Sequence, residues 1–168
     1  MVQSVTLKYT PSQQDYAQAI RLFMMKRTAN RISLGFLVIA FAIVVLSIST
    51  QATPITIFEL IWLLFPPLFI IYIIIIQPNR MAKQAMTNEH LAAETTWEVS
   101  DSGVQISTSF DSALFEWDAL ARLITNKDYY LLLFKKNKNT FRFLPQRSFT
   151  SAEDQDSFLQ LMTSHLSK

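Results

Sequence analysis

Between Ile32 and Ile76 the only ionisable side chains are Glu59 and Tyr72. Water gives no reason to keep so long a run free of charge, whereas lipid does: a charge at the bilayer centre costs about 2.5–3.5 kcal/mol on insertion scales. The chain is 50% hydrophobic and 17% charged, against roughly 25% charged in soluble domains. Outside this run its composition is ordinary, so the deficit is local. The pattern predicts a membrane part joined to a water-soluble part, in a chain of 168 residues sized for about one domain.

The apolar run reads as two helices and a turn. At about 1.5 Å per residue, Ile32–Ser49 reaches about 27 Å, close to the roughly 30 Å of hydrocarbon. Gln51–Thr56 is a short polar turn containing Pro54. Ile57–Ile76 follows, and although its Ile70–Ile76 stretch is β-branched, a lone strand would leave its backbone unpaired in lipid. Pro66 and Pro67 remove two amide donors and predict a kink, with the freed carbonyls needing partners from the other helix or from water. Gly35, Ala40 and Ala42 would admit a close neighbour, though small residues are also plain filler in an apolar helix.

The flanks are asymmetric. Arg21, Lys26, Arg27 and Arg31 precede the first segment, Arg80 and Lys83 follow the second, and the connecting turn has no Lys or Arg. Cytoplasmic loops carry the excess of Lys and Arg, so both termini are expected inside and the turn outside. A signal-peptide reading of the first segment is weaker, because the basic stretch before it already holds a strand and a helix and no small-x-small cleavage site follows.

The remainder alternates. Val2–Tyr9 reads as a strand. Thr10 is expected to cap the next helix, with Pro11 in its first turn and Gln13 in the capping-box position; Tyr16, Ala19, Ile20 and Phe23 form its apolar face. Pro78 is expected to mark the exit of the second apolar segment, and Asn79–His90 reads as helical. Thr96–Ser100, Val104–Phe110, Ala113–Trp117, Tyr129–Lys135 and Thr140–Leu144 read as strands, with Leu120–Thr125 ambiguous. Tyr129–Lys135 is apolar on both faces and is expected at a sheet centre. Ser151 with Asp154 opens a last helix whose buried stripe is Phe158, Leu161, Met162 and Leu166.

The expected fold is a membrane α-helical hairpin plus an α+β soluble domain, an antiparallel strand roll closed by a C-terminal helix. Its units are 1–31, a strand and basic amphipathic helix whose strand joins the C-terminal sheet; 32–49, transmembrane helix 1; 50–56, an external turn; 57–76, transmembrane helix 2; 77–93, a juxtamembrane helix; and 94–168, a cytoplasmic domain.

Several short runs keep an order that resembles the YcxB-like family of small bacterial membrane proteins, whose function is unassigned. They are Ser4-Val5-Thr6-Leu7, Asp15-Tyr16, the two adjacent apolar segments, Ser100-Asp101-Ser102-Gly103-Val104, Glu116-Trp117-Asp118, Asp128-Tyr129-Tyr130-Leu131-Leu132, Leu144-Pro145, Arg147 and Phe149. The resemblance implies a bacterial inner-membrane location and supplies no reaction. A strand roll closed by a helix also resembles a pleckstrin-homology-type domain, a likeness of fold that does not carry function.

Composition excludes several chemistries. No cysteine is present, which removes disulfides, thiolate metal sites and cysteine nucleophiles. The only two glycines, Gly35 and Gly103, cannot build a phosphate-cradling loop. A net charge of +2 gives no case for nucleic acid. His90 and His165 lack the paired spacing of a zinc site, and no nucleophile-elbow motif occurs, so no catalytic, cofactor-binding or metal residues are assigned and no cofactor is expected.

Glu59 is the candidate intramembrane polar site, read as an interfacial anchor ahead of an ion-coupling group because it lies near a segment end. Trp117 and Asp118, with Lys135, Lys136 and Lys138, form the candidate interaction surface. The plainer readings are a core Trp beside a turn-capping Asp, and a solvated basic turn that blunts a sheet edge; the functional ones are an aromatic anchor and contact with anionic headgroups, worth about 1 kcal/mol per Lys.

The expected role is a multi-pass protein of the bacterial inner membrane that displays a cytoplasmic interaction module for a protein, peptide or lipid headgroup. The alternatives are an accessory subunit of a transporter or channel, which requires a homo-oligomer, and a membrane enzyme of unknown reaction. Partners are the lipid bilayer, anionic headgroups and an unidentified protein. The topology is directly testable because the chain lacks cysteine: Thr53→Cys should react with an impermeant maleimide in intact cells, and Lys138→Cys only after lysis. The reverse pattern overturns the charge argument.

Overall fold

The computed structural model describes residues 4–50, 54–137 and 139–166. Its strands make two antiparallel sheets. Sheet A runs β1 (Val5–Tyr9), β2 (Thr95–Ser100), β3 (Gly103–Ser107) and β4 (Ser112–Phe115); sheet B runs β5 (Leu120–Thr125), β6 (Tyr129–Phe134) and β7 (Phe141–Pro145). β1 pairs with β2 across almost ninety positions of sequence, Leu7 opposite Trp97. Val2 and Gln3, expected in this strand, lie outside the described residues. Leu120–Thr125, ambiguous in sequence, is a strand with a register shift between Leu120 and Arg122.

Strand alternation sorts side chains into layers. Leu7, Trp97, Val99 and Val104 of sheet A face Tyr130 and Leu132 of sheet B. Helix α6 (Ala152–Leu166) closes this core with Phe158, Leu161 and Met162, after Ser151 accepts the Asp154 N–H. The other face of sheet B carries Tyr129, Leu131, Leu133 and Phe143, and these pack on Ala19 of helix α1 (Gln13–Lys26). β6 is therefore apolar on both faces because it is central in its sheet and covered on both sides. Ala17 and Ile20 of α1 turn instead to Ala82 of helix α4 (Gln77–Met86). The layers run sheet A, sheet B, α1, α4, and the alanines at the last two contacts allow close approach.

Four expected boundaries move, each for a local reason. Helix α1 is capped by Ser12, not Thr10: the Ser12 hydroxyl accepts the Asp15 N–H while the Asp15 carboxylate accepts the Ser12 N–H, completing the box with Asp15 in place of Gln13. β3 ends before Phe110 because the Thr108 hydroxyl takes the Phe110 and Asp111 N–H groups into a turn. β4 ends before Trp117 because Trp117–Ala119 form a 3₁₀ turn. The Lys135 N–H then leaves β6 for the Ala119 carbonyl.

Two helices are long and apolar enough to cross a membrane, α2 (Thr28–Thr50) and a continuous run from Ile57 to Met86. α2 buries none of its residues, and side chains such as Phe36 and Ile57 are 70% and 79% exposed. α2 lies against α3 (Ile57–Ile71). Of the turn joining them, Gln51–Thr53 fall outside the described residues.

Pro66 and Pro67 stand inside α3. Pro78 does not end the second helix, which passes through a π-helical turn at Tyr72–Ile76 into α4. The physical reason concerns one carbonyl. In an α-helix the Ile74 carbonyl would receive the N–H of residue 78, and proline has none. The wider turn redistributes the bonds, with the Gln77 N–H reaching back to Tyr72, and Arg21 of α1 supplies its Nε–H to the Ile74 oxygen at 2.9 Å.

Gly103 opens β3 at φ +144°, where a Cβ would run into the Phe115 carbonyl oxygen of β4. Gly103→Ala should therefore cost about 2 kcal/mol or more, read as a lowered midpoint of chemical unfolding; an unchanged midpoint refutes the close approach.

Candidate functional site

Asp15 is the buried charged residue among the described ones, 2% exposed in a largely apolar setting. Its carboxylate is fully engaged. Arg147, in the 3₁₀ turn after β7, donates from both terminal nitrogens at 2.5 Å, one to each oxygen. The Tyr129 hydroxyl of β6 donates at 2.9 Å, and the Ser12 hydroxyl donates at 2.7 Å. Burial alone would raise the Asp15 carboxyl, but the bonds from Arg147, Ser12 and Tyr129 outweigh it and hold the pKa at about 2. Burial, reinforced by the Asp15 charge, pushes Tyr129 up to about 12. This cluster fastens the start of α1 to sheet B and leaves no free nucleophile or base.

A separate cleft of about 280 Å³ opens between the ends of sheet A, strand β7 and the short helix α5 (Glu89–Ala92). Its apolar walls include Ile106, Phe115 and Phe143, and its polar lining includes Tyr9, Tyr16, Trp97 and Arg142 together with His90, Thr108 and the Asp111 carboxylate. The Tyr9 hydroxyl donates to the Phe143 carbonyl at 2.5 Å and the Tyr16 hydroxyl to the Leu91 carbonyl at 2.8 Å. Burial raises both phenols, and the Arg142 charge partly offsets it in each. The Trp97 Nε1–H lies close enough to Tyr9 to lower that phenol, yet no acceptor meets it at hydrogen-bond geometry, although the residue is fully buried. Arg142 forms no ion pair among the described residues. An indole N–H that meets no acceptor and a guanidinium without an ion pair among the described residues suit an acceptor-bearing group on the Arg142 side of the cleft, away from the Asp111 carboxylate in the same lining. The volume is at the low end for ligand pockets, so a headgroup or one side chain fits and a drug-sized molecule does not.

Among the described residues no group of three His, Asp or Glu side chains could hold a metal ion. His90, instead, packs on Phe110 with ring centroids 4.5 Å apart, joining α5 to the β3–β4 hairpin beside the cleft.

The residues singled out in sequence lie elsewhere. Trp117 is half-buried, donates its Nε1–H to the Asp101 carbonyl at 3.0 Å and stacks on His165 at 4.4 Å and 8°. Asp118 is exposed in the same turn, and the Lys135 N–H bond to Ala119 draws exposed Lys135 and Lys136 next to it. Lys138 lies outside the described residues. Glu59 caps α3, its carboxylate accepting the Thr56 N–H and hydroxyl at 2.8 Å each. Sequence reasoning missed the cleft. The available signal was tyrosine rather than phenylalanine at the apolar positions Tyr9 and Tyr16, since a buried hydroxyl needs a partner.

The Asp15 shift from 3.8 to about 2 corresponds to about 2 kcal/mol of folding stability. The folded pKa lies below the unfolded one, so this contribution is complete above about pH 4 and lost as pH falls towards 2. Asp15→Asn should cost about 2–4 kcal/mol at pH 7 and should flatten the loss of stability between pH 4 and 2. Parallel acid profiles for variant and wild type would show that the pair contributes nothing.

No curated protein matches the chain. A family model described as YcxB-like protein matches residues 99–162, from the end of β2 to the buried part of α6, and includes Tyr129, Arg142 and Arg147 but neither β1 nor α1. Over that segment, which holds most of both sheets and the closing helix, the chain is similar to YcxB-like proteins.

Proposed function

We propose that this protein is a membrane-anchored interaction module, with α2 and α3 as a hairpin in the bacterial cytoplasmic membrane and the two-sheet domain on the cytoplasmic face. The observation that carries this reading is the insertion of the hairpin within the domain. β1 and α1 precede it, β2–β7 and α6 follow it, and β1 pairs with β2 while α1 packs on sheet B. A hairpin entered and left from one domain must have both flanks on one side of the bilayer, in keeping with the basic flanks and the uncharged turn. The run from Ile57 to Met86, 30 residues, spans about 45 Å and exceeds the roughly 30 Å of hydrocarbon, so α4 stands clear of the lipid and meets α1.

The four-plus-three strand arrangement with its closing helix supports the pleckstrin-homology-like reading of the domain. The module takes a carboxylate- or phosphate-bearing group of its partner in the Arg142–Trp97 cleft. Tethering compensates for weak affinity by raising effective concentration. The turn with half-buried Trp117 and exposed Asp118, together with Lys135 and Lys136, is a second contact zone facing partner or headgroups.

Co-purification into lipid discs, with proteins and lipids identified, tests this reading when wild type and Arg142→Gln are compared. A bond from a charged donor contributes about 1.5–3 kcal/mol, so the variant should lose its bound partner or lipid about tenfold or more while its unfolding midpoint stays within about 0.5 kcal/mol of wild type. Equal capture by both proteins overturns the cleft as the binding site.

A further inference from the structure

Another cavity, of about 250 Å³, lies where α1, α2 and the π-helical turn converge. Leu34 and Leu37 of α2 form one wall and Phe69 and Ile73 the other, with Met24 of α1 beside them, and Arg21 with Asn30 and Gln77 form the polar end. Arg21 is half-buried there, and its Nε–H is committed to the Ile74 carbonyl. That bond fixes the guanidinium plane and leaves both terminal nitrogens without a partner among the described residues. No carboxylate occurs in the sequence between Asp15 and Glu59, nor in α4, while Lys26, Arg27, Arg31, Arg80 and Lys83 stand on these segments. The cavity is thus an apolar slot whose headward end is cationic and meets no counter-ion among the described residues.

We propose that this slot holds one anionic phospholipid, with its phosphate on the Arg21 terminal nitrogens and the first part of an acyl chain against Leu34, Leu37, Phe69 and Ile73. Arg21 stands at the level where the apolar helices end and the basic belt begins, which is headgroup height. A planar guanidinium matches phosphate in a bidentate manner, and basic pockets between membrane helices on the cytoplasmic side suit anionic headgroups. The Ile74 carbonyl orients Arg21 for this contact, so the π-helical turn forced by Pro78 becomes part of the site. The inference rests on the membrane reading of α2 and α3 but is independent of the Arg142 cleft.

The test is native mass spectrometry of the full chain in mild detergent with dioleoyl-phosphatidylglycerol or dioleoyl-phosphatidylcholine added. One retained phosphatidylglycerol is expected, favoured over phosphatidylcholine by about fivefold or more, the ratio that about 1 kcal/mol for one basic contact gives. Leu37→Trp fills the slot and should abolish the bound lipid with an unchanged melting temperature. Arg21→Gln should equalise the two lipids, and Lys26→Gln with Arg27→Gln should leave the preference intact. Retention by Leu37→Trp, or loss in the Lys26/Arg27 variant, overturns the site. A chain that needs detergent yet shows no preference overturns the site alone, whereas a chain monodisperse without detergent overturns the anchor and the site together.

Discussion

The bidentate pair between Asp15 and Arg147 ties together parts of the chain that the apolar hairpin drives apart. Asp15 lies before the hairpin and Arg147 follows the last strand, with the Tyr129 hydroxyl from β6 between them. A buried carboxylate is expensive unless every lone pair is used, and here the N-cap of α1, a tyrosine and a guanidinium use them together. Arg147 keeps 56% of its side chain exposed, so the pair carries the desolvation cost of one ion rather than two. The arrangement also fixes position. A carboxylate held by the cap of its own helix presents its oxygens in one direction, and a planar fork accepts only that direction. α1 is thereby set on sheet B in a single register, and its remaining contacts follow.

From that register come the two faces of α1. One puts Ala19 against the outer side of β6, and the other puts Ala17 and Ile20 against Ala82. α1 is the middle layer between the sheets and the second apolar helix, and its small residues keep α4 near enough for Arg21 to reach Ile74. The Pro78 defect and the Arg21 bond are complementary: the proline creates an acceptor without a donor, and α1 brings a donor that would otherwise face an apolar wall. In the proposed membrane reading, where water cannot repair a lost backbone bond, such an exchange is worth more than at a wet surface. A rigid connection follows, because the second apolar helix continues into α4 without a flexible joint.

Much of this was legible in the sequence, and the parts that were not share a cause. The apolar run, the last helix and the double-faced β6 are local patterns, written in periodicity that neighbouring residues carry. The roles of Asp15, Tyr129 and Arg147 are not, because |i−j| separations of 114 and 132 join them. Their names stood in the family-like runs without any sign that they meet. Thr10 was read as the cap because it precedes a proline, whereas Ser12 wins by having a carboxylate three residues on that can both close the box and reach Arg147. Arg21 read as one of several flanking charges. Its particular task appears only when the missing amide of Pro78 is set beside it. Trp117 showed its aromatic bulk but not its stack on His165, since that partner arrives from the far end of α6.

The segment matched by the family model, 99–162, is not a self-sufficient unit of packing. Without β1, the edge of β2 loses its ladder, and Leu7 is missing from the face of Trp97. Without α1, the outer face of β6 with Tyr129, Leu131 and Leu133 has no cover. An exposed strand edge beside an exposed apolar sheet face is an aggregation hazard. The domain therefore depends on residues that the chain supplies before entering the hairpin. In the proposed reading this makes insertion and folding interdependent: sheet A closes only after both apolar helices have been made and their flanks returned to the same side. In the same reading a cut in the hairpin turn would leave the two halves joined through the pairing of β1 with β2 and the packing of α1 on sheet B. In that reading the pairing of β1 with β2, and not the covalent chain alone, would hold the cleft at the membrane face.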